Sequence, residues 1–203
     1  LLLENCSSGG ARFDAGMLYY SPQIWTSDNT EAIERLRIQE GTALIYPLSS
    51  MGAHVACCPS HTNRRVTPFA TRGLVALPGC FGYELDLTKL TEEELCQIPG
   101  QLELYHRLGP VFRTGDYYRL ASYEENGEYD AMMAVTKDRA EAVAIYTEVQ
   151  SRSRKSPVRL RFAGLDPEAR YELSGELKNA GEIHTGAAWM SAGLLLPRLE
   201  QDY

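Results

Sequence analysis

The chain has 203 residues, of which 44% are hydrophobic and 9% aromatic, so it can bury a substantial core and is not mainly disordered. The 20 Lys and Arg against 27 Asp and Glu give a net charge of −7, which argues against nucleic acid or a membrane surface as a partner. The longest uncharged stretch, 41–63, contains prolines and polar residues, so no membrane span is predicted. Five cysteines, an odd number in a chain too long to need disulfides, indicate a reducing compartment, and we expect the cytoplasm.

The first part of the sequence alternates predicted strands and helices. The all-apolar residues 1–3 are typical of a strand covered on both faces, and a glycine-rich loop follows them. A helical period begins near Asn29 and Thr30, with apolar residues on one face and charged residues, Arg35 among them, on the other, and Gly41 is expected to end this helix. Residues 42–46 are predicted to form the next buried strand, which opens into a loop at 47–52.

Two more helices and one more strand follow. Residues 67–77 predict a helix that Pro68 enters at its first turn, and 79–87 are short and apolar enough for a strand. Thr91 and Glu94 form a capping-box pair for a closing helix, which Pro99 and Gly100 should kink or break before it continues to about residue 111. This alternation predicts a parallel sheet with ligand-binding loops at the carboxyl ends of its strands. An open sheet and part of a barrel both fit the pattern.

After Gly115 the pattern changes to short strands separated by turn residues, at 117–120, 131–135, 142–146 and 158–162. Such spacing predicts antiparallel pairing. In the last segment Val158, Leu160 and Phe162 should point one way, while two arginines point the other way. A basic cluster here could bind an anion, but solvent-exposed charge is the better interpretation of Arg152, Arg154, Lys155, Arg159 and Arg161.

Four segments carry the residues that chemistry would use. They are ENCSSGGARFD at 4–14, WTSDNT at 25–30, YPLSSMGAHV at 46–55 and GYELDL at 82–87. In this order and spacing they resemble the bacterial α-galactosidases of glycoside hydrolase family 36. The resemblance implies an α/β plus all-β fold, in which residues 1–115 form the second half of a (β/α)8 TIM barrel. Residues 116–203 would then form a C-terminal antiparallel β-sandwich that lacks its final strand, and the chain would be a fragment.

The resemblance also implies a function. The complete protein would be a retaining α-galactosidase that hydrolyses terminal α-galactosyl residues of melibiose- and raffinose-type oligosaccharides, without a cofactor and as a homo-oligomer. Two alternatives stay open, a galactosyl transglycosylase similar to raffinose synthase and a non-catalytic sugar-binding module. The second is suggested because no Lys in this sequence is followed by an aromatic residue and an Asp, the family's nucleophile motif. The isolated chain is therefore expected to be inactive.

Asp28 matches the family's acid/base carboxylate. Such a group must keep a proton near neutral pH, which favours aromatic or apolar surroundings, and Trp25 is close in sequence. The alternative is that Asp28 caps the helix that follows, because Ser, Asp, Asn and Thr all make good caps. The resemblance favours catalysis, and it leaves Asn29 or Thr30 to cap the helix.

Cys6, Ser7 and Gly9 match the family's sugar-contacting loop, so the resemblance implies that they bind substrate. A catalytic thiol at Cys6 would need a histidine partner, and none is near in sequence. A zinc site would be the other sharp hypothesis, because two histidines and two cysteines follow one another closely at His54, Cys57, Cys58 and His61. Adjacent cysteines rarely bind one tetrahedral ion together, so we expect packed side chains and no metal.

Overall fold

The computed structural model describes residues 3–6, 14–150, 157–175 and 179–196. Within these ranges the helices are α1 (Ala32–Ala43), α2 (Phe69–Ala76), α3 (Glu92–Thr114), α4 (Tyr123–Asn126) and α5 (Gly186–Ser191). The strands are β1 (Glu4–Asn5), β2 (Gln23–Trp25), β3 (Met51–Ala56), β4 (Cys80–Glu84), β5 (Asp116–Ala121), β6 (Tyr129–Val135), β7 (Ala142–Glu148), β8 (Arg159–Leu160), β9 (Arg170–Glu172), β10 (Ile183–Thr185) and β11 (Leu194–Leu195). None of the helices in these ranges has the length and apolar character needed to cross a bilayer.

The first four strands form one parallel sheet in the order β1-β2-β3-β4, which confirms the predicted parallel arrangement. Helix α1 connects β2 to β3, and helix α2 connects β3 to β4. Because neighbouring strands run in the same direction, the segments that follow them leave the sheet at one edge. The residues Cys6, Asp28, Cys57 and Leu85 therefore all lie beyond this carboxyl edge.

The strand predicted at 42–46 is wrong. Helix α1 continues to Ala43, and the side chains of Leu44 and Ile45 are 61% and 80% exposed. The strand is instead β3, part of which was predicted to be a loop. Small residues conceal it, since β3 contains Gly52 and two alanines and yet is almost entirely buried. The large apolar side chains of Leu44 and Ile45 therefore suggested a strand where there is none, and the small side chains of β3 gave no such signal.

Other boundaries also differ from expectation. Strand β1 begins at Glu4, after Leu3, which is 55% exposed, while residues 1 and 2 lie outside the described ranges. Gly41 lies inside α1 and does not end it. Helix α3 runs unbroken through Pro99 and Pro110, although its capping box of Thr91 and Glu94 is confirmed. Helix α2 and strand β4 lie within the segments predicted for them.

From Asp116 onward the strands pair antiparallel, as predicted. Strands β5, β6 and β7 form a three-stranded sheet, and β8 with β11 and β9 with β10 form two short pairs. Leu160 is buried and Arg159 and Arg161 are exposed, which agrees with the predicted alternation, while residues 152, 154 and 155 lie outside the described ranges. Gly115 permits the turn from α3 into β5, because a Cβ would lie 2.5 Å from the carbonyl oxygen of Val111 and 2.7 Å from that of Val135.

Strand β6 joins the two main cores because it is buried on both faces. Its residues Ala131, Met133 and Val135 pack into a core with Leu160 and Trp189. Ala134 packs on the opposite side, in a core that includes residues of the parallel-sheet region and of α3: Leu48, Met51, Leu77, Val111 and Phe112. This packing holds the antiparallel sheet against the helical side of the parallel sheet, away from its carboxyl edge.

Candidate active site at the carboxyl edge of the parallel sheet

Asp28 lies three residues beyond the end of β2, in a partly exposed loop. Its Oδ1 accepts a hydrogen bond from the indole N–H of Trp25, the last residue of β2, at 3.1 Å. Two neighbouring side chains order the loop itself, since the Ser27 hydroxyl accepts from the backbone N–H of Asn29 and the Asn29 amide oxygen accepts from that of Glu31. The loop thus presents one carboxylate, held by an aromatic N–H, at the sheet edge.

Glu31, and not Asp28, caps helix α1. Its two carboxylate oxygens accept from the backbone N–H groups of Ile33 and Glu34, each at 3.1 Å. The expectation that Asn29 or Thr30 would cap this helix is therefore wrong, and so is the alternative that Asp28 does. Glu31 is 4% exposed and also pairs with Arg65 at 2.9 Å, so its charge is compensated by the helix end and by an arginine.

Arg35 is buried beneath the Asp28 loop. It is 2% exposed, and its guanidinium donates to the carbonyl oxygens of Ser27 at 2.6 Å and of Gly52 at 3.3 Å. Its Cζ atom lies 4.8 Å from the centroid of the Trp25 ring. Burial lowers the pKa of Arg35 to about 10, while the negative charges of Glu84 and Asp28 act in the opposite direction, so it stays protonated at neutral pH.

The sequence placed Arg35 on the charged face of the helix, which is wrong. One signal could have revealed its burial. Arg35 stands three residues after Ala32 and four before Gln39, and both of these residues are buried on the same side of α1. An arginine within such a stripe must find hydrogen-bond acceptors, and the backbone carbonyls of Ser27, in the loop after β2, and of Gly52, in β3, supply them.

Each of the four parallel strands contributes one polar or aromatic side chain beside this loop: Glu4, Trp25, His54 and Glu84. The His54 ring lies 4.8 Å from the Trp25 ring, between centroids, and its Nδ1 lies 3.9 Å from a carboxylate oxygen of Glu84. Burial lowers the pKa of His54, and the charges of Glu4 and Glu84 partly offset that effect. No local sequence pattern links Glu4 and Glu84 as members of one cluster, because only strand register brings them together.

Two glycines make room for this cluster. A Cβ on Gly82 would lie 2.9 Å from the His54 ring. A Cβ on Gly52 would lie 2.9 Å from a carboxylate oxygen of Glu4 and 3.0 Å from the Trp25 ring. The resulting surface combines an aromatic ring with carboxylates. A ring can stack on a neutral, hydroxyl-rich ligand, and carboxylates can accept hydrogen bonds from its hydroxyl groups.

Of the residues predicted to bind substrate, the structure describes one. Cys6 directly follows β1 and is exposed. Its neighbour Asn5 is the register partner of Ile24 on β2, so Cys6 lies next to the end of β2. Ser7 and Gly9 lie outside the described ranges.

The four residues considered for zinc are not arranged as a metal site. Among the residues that the structure describes, His, Cys, Asp and Glu form no group of three or more that could hold a metal ion. His54 turns towards Trp25 and Glu84, whereas Cys57 and His61 are exposed. All five cysteines, at positions 6, 57, 58, 80 and 96, are free thiols.

Comparisons with known proteins give a consistent result. Residues 1–115 match the family model described as Melibiase, and residues 129–203 match that of the glycosyl hydrolase family 36 C-terminal domain. Over 203 residues the chain is 46% identical to the α-galactosidase AgaA of Geobacillus stearothermophilus and 45% identical to the bifunctional α-galactosidase/sucrose kinase AgaSK of Mediterraneibacter gnavus. It covers 27% and 21% of those proteins, so it spans about a quarter of the length of these curated relatives.

A solved structure agrees with the sequence comparisons. The crystal structure of an AgaA variant from Geobacillus stearothermophilus in complex with raffinose superposes on the whole of this chain with a TM-score of 0.92 at 45% identity. The superposition covers 27% of the AgaA chain.

Proposed function

Because this chain belongs to the Melibiase family and carries a glycosyl hydrolase family 36 C-terminal domain, we propose that it supplies the second part of a retaining α-galactosidase. The observation that carries the proposal is the state of Asp28. Its carboxylate lies at the carboxyl edge of a parallel sheet, does not cap the helix that follows and accepts the indole N–H of Trp25. A carboxylate placed in this way is available to a bound ligand.

In the proposed mechanism two carboxylates divide the work. A nucleophilic carboxylate from the part of the enzyme outside this chain attacks the anomeric carbon and forms a β-galactosyl ester, while the bond to the leaving oxygen breaks. Asp28 gives its proton to that oxygen. Asp28 then takes a proton from water as the water attacks the ester, which releases α-galactose and frees the nucleophile.

The proposed substrates are oligosaccharides with a terminal α-linked galactose, such as melibiose and raffinose. Raffinose is bound in the AgaA structure that superposes on this chain, and a neutral sugar suits the carboxylates and the aromatic ring at the sheet edge. Cys6, Ser7 and Gly9 are proposed to contact the galactose. In this proposal residues 1–115 are half of a (β/α)8 barrel and residues 116–203 a β-sandwich, and the complete enzyme is a cytoplasmic homo-oligomer.

The experiment is a product analysis with the full-length protein, first on melibiose and raffinose and then with excess sucrose added. Release of free galactose under both conditions is expected for a hydrolase. Galactosylated sucrose as the main product would show a transglycosylase instead. Binding of galactose without any product from either substrate would contradict an enzyme and favour a sugar-binding module.

A further inference from the structure

We propose that Trp25 and Arg35 form a positioning pair that holds the Asp28 carboxylate in the orientation needed for proton transfer. The inference rests on the proposed function, because it assigns to two further residues a role in the reaction of Asp28. Neither residue would touch the reacting atoms. Trp25 would act on Asp28 directly, and Arg35 would act on Trp25 and on the loop.

Trp25 fixes one oxygen of the carboxylate. Its indole N–H points at Oδ1 of Asp28 over 3.1 Å, which leaves Oδ2 as the oxygen that exchanges a proton with substrate. The indole itself is held by two neighbours, with the Arg35 guanidinium at 4.8 Å from its centroid and the His54 ring also at 4.8 Å. A donor with so little freedom defines the angle of the carboxylate as well as its position.

Arg35 fixes the loop that carries Asp28. It donates to the Ser27 carbonyl, one residue before Asp28, and to the Gly52 carbonyl on strand β3. The hydroxyl of Thr26 donates to the same Gly52 carbonyl at 3.2 Å. The Gly52 carbonyl thus connects the Asp28 loop to strand β3. The planar guanidinium of Arg35 donates to both carbonyls at once, which the compact ammonium group of a lysine could not do in the same geometry.

The chain contains matched controls for both residues. The only other tryptophan, Trp189, donates its indole N–H to the Tyr171 carbonyl at 3.2 Å in the C-terminal core, far from the sheet edge. Arg72 in α2 resembles Arg35 in its burial, its ring contact and its carbonyl acceptors, and it differs by an additional ion pair with Glu94. It is 5% exposed, its Cζ lies 4.9 Å from the Phe69 ring centroid, and it donates to the carbonyls of Thr67 and Ala56.

The test uses the full-length enzyme and two substrates that differ in their need for an acid. Melibiose requires protonation of its leaving oxygen, whereas an aryl galactoside with an acidic phenol does not. Trp25→Phe keeps an aromatic ring but removes the N–H, and we expect it to lower kcat/KM for melibiose about 10- to 100-fold, the range for loss of one hydrogen bond to a charged group. The activated aryl substrate should change by less than about 3-fold, because kcat/KM reports the step up to cleavage of a bond that needs no acid. Trp189→Phe should affect both substrates equally.

Arg35→Lys provides a second variant should Trp25→Phe fold poorly. It keeps the charge but cannot reach both carbonyls. We therefore expect kcat/KM for melibiose to fall about 10-fold, and kcat/KM for the aryl galactoside to change much less. Arg72→Lys should lower the thermal midpoint to a similar extent, without any difference between the two substrates. Equal losses on both substrates in the Trp25 and Arg35 variants would overturn the pair and leave it a merely structural contact.

Asp28→Asn, measured beside these variants, separates this inference from the proposed function. If Asp28→Asn loses melibiose activity selectively while Trp25→Phe does not, the positioning pair is overturned and the role of Asp28 stands. If Asp28→Asn shows no selectivity, the role of Asp28 and the pair are overturned together. Selective loss in both variants supports both proposals.

Discussion

Glu31, Arg35 and Arg72 are charged side chains with at most 5% exposure, and each is compensated within the protein. Glu31 accepts two backbone N–H groups and pairs with Arg65, while both arginines donate to backbone carbonyls. A buried charge that loses its hydrogen-bond or ion-pair partners is left uncompensated, which destabilises the folded protein. These residues therefore determine where the loops at the sheet edge lie.

Asp130 is a buried carboxylate with weaker compensation. It is 9% exposed on β6, lines a space between α1, α2 and the three-stranded sheet, and accepts one backbone N–H from Tyr123 at 3.3 Å. Burial, with a smaller contribution from the charge of Glu40, raises the pKa of Asp130 to about 6. The Tyr123 hydrogen bond and the charge of Arg119 lower this pKa and offset only part of the increase. The folded protein thus binds this proton more tightly than the unfolded chain does.

The contribution of Asp130 to the free energy of unfolding should consequently rise as pH falls through 6. Above that pH the ionised carboxylate opposes folding, by on the order of 2–3 kcal/mol, because its pKa is higher in the folded protein than in the unfolded chain. Asp130→Asn should therefore raise the thermal midpoint at pH 7.5, and the difference from wild type should shrink towards pH 5. Asp138→Asn is the control. Hydrogen bonds, first of all from the Thr136 side chain, lower the pKa of this exposed group, so its replacement should not raise the thermal midpoint at pH 7.5. A difference for Asp130→Asn that does not change with pH would contradict the prediction.

At the scale of elements, replacing either of two glycines by alanine should change stability, in opposite directions. Gly41 lies in α1, and a Cβ added there would have nothing within 4 Å, so Gly41→Ala should stabilise the protein by about 0.5–1 kcal/mol. Gly52 lies in β3 against Glu4 and Trp25, so Gly52→Ala should destabilise it by about 1–3 kcal/mol and displace Trp25. Denaturant unfolding of both variants and melibiose turnover measure these effects. Unchanged stability together with full activity in Gly52→Ala would contradict the close packing of Gly52 against Glu4 and Trp25.

Elements with strong periodicity could be predicted from the sequence, and those made of small or few residues could not. Helix α2, strand β4 and strands β5 to β7 lie close to their predicted positions, because each combines a clear apolar pattern with turn or cap residues. Strand β2 was not identified, since three residues carry too little pattern. Strand β3 was missed for its small side chains, and α1 extended past Gly41 because the helix and its contacts with α2 outweigh the cost of one glycine.

The site was predictable only in part for a related reason. The roles proposed for Asp28 and Cys6 come from the resemblance to family 36, in which each is a single position in a long motif. The cluster of Glu4, His54 and Glu84 depends on the register of β1, β3 and β4, which no local pattern encodes. Arg35 was misplaced because a charged residue is ordinarily exposed, and its burial follows from carbonyl acceptors outside its own helix.

At the scale of the whole molecule, the chain brings half of the proposed chemistry to one edge of its parallel sheet. The antiparallel sheet packs on the other side, through α3 and the core around Met51, Phe112 and Ala134, and so supports the parallel strands without covering the candidate site. The order β1-β2-β3-β4 is that of consecutive strands in a (β/α)8 barrel, which supports the proposal of a half barrel. In that proposal the nucleophile reaches the same edge from the other half.

The central claim is that Asp28 is the acid/base of a retaining α-galactosidase, and azide rescue of Asp28→Asn in the full-length enzyme tests it most directly. The substitution should lower kcat/KM for melibiose by about 10²–10⁴-fold, because proton transfer is lost. With an activated aryl α-galactoside the galactosyl-enzyme still forms, and azide, which needs no general base, should restore turnover. Displacement of the β-linked ester inverts the anomeric centre a second time, so the account predicts α-galactosyl azide, identified by its anomeric proton coupling in NMR. Absence of rescue, or formation of β-galactosyl azide by direct displacement of the phenol, would contradict it.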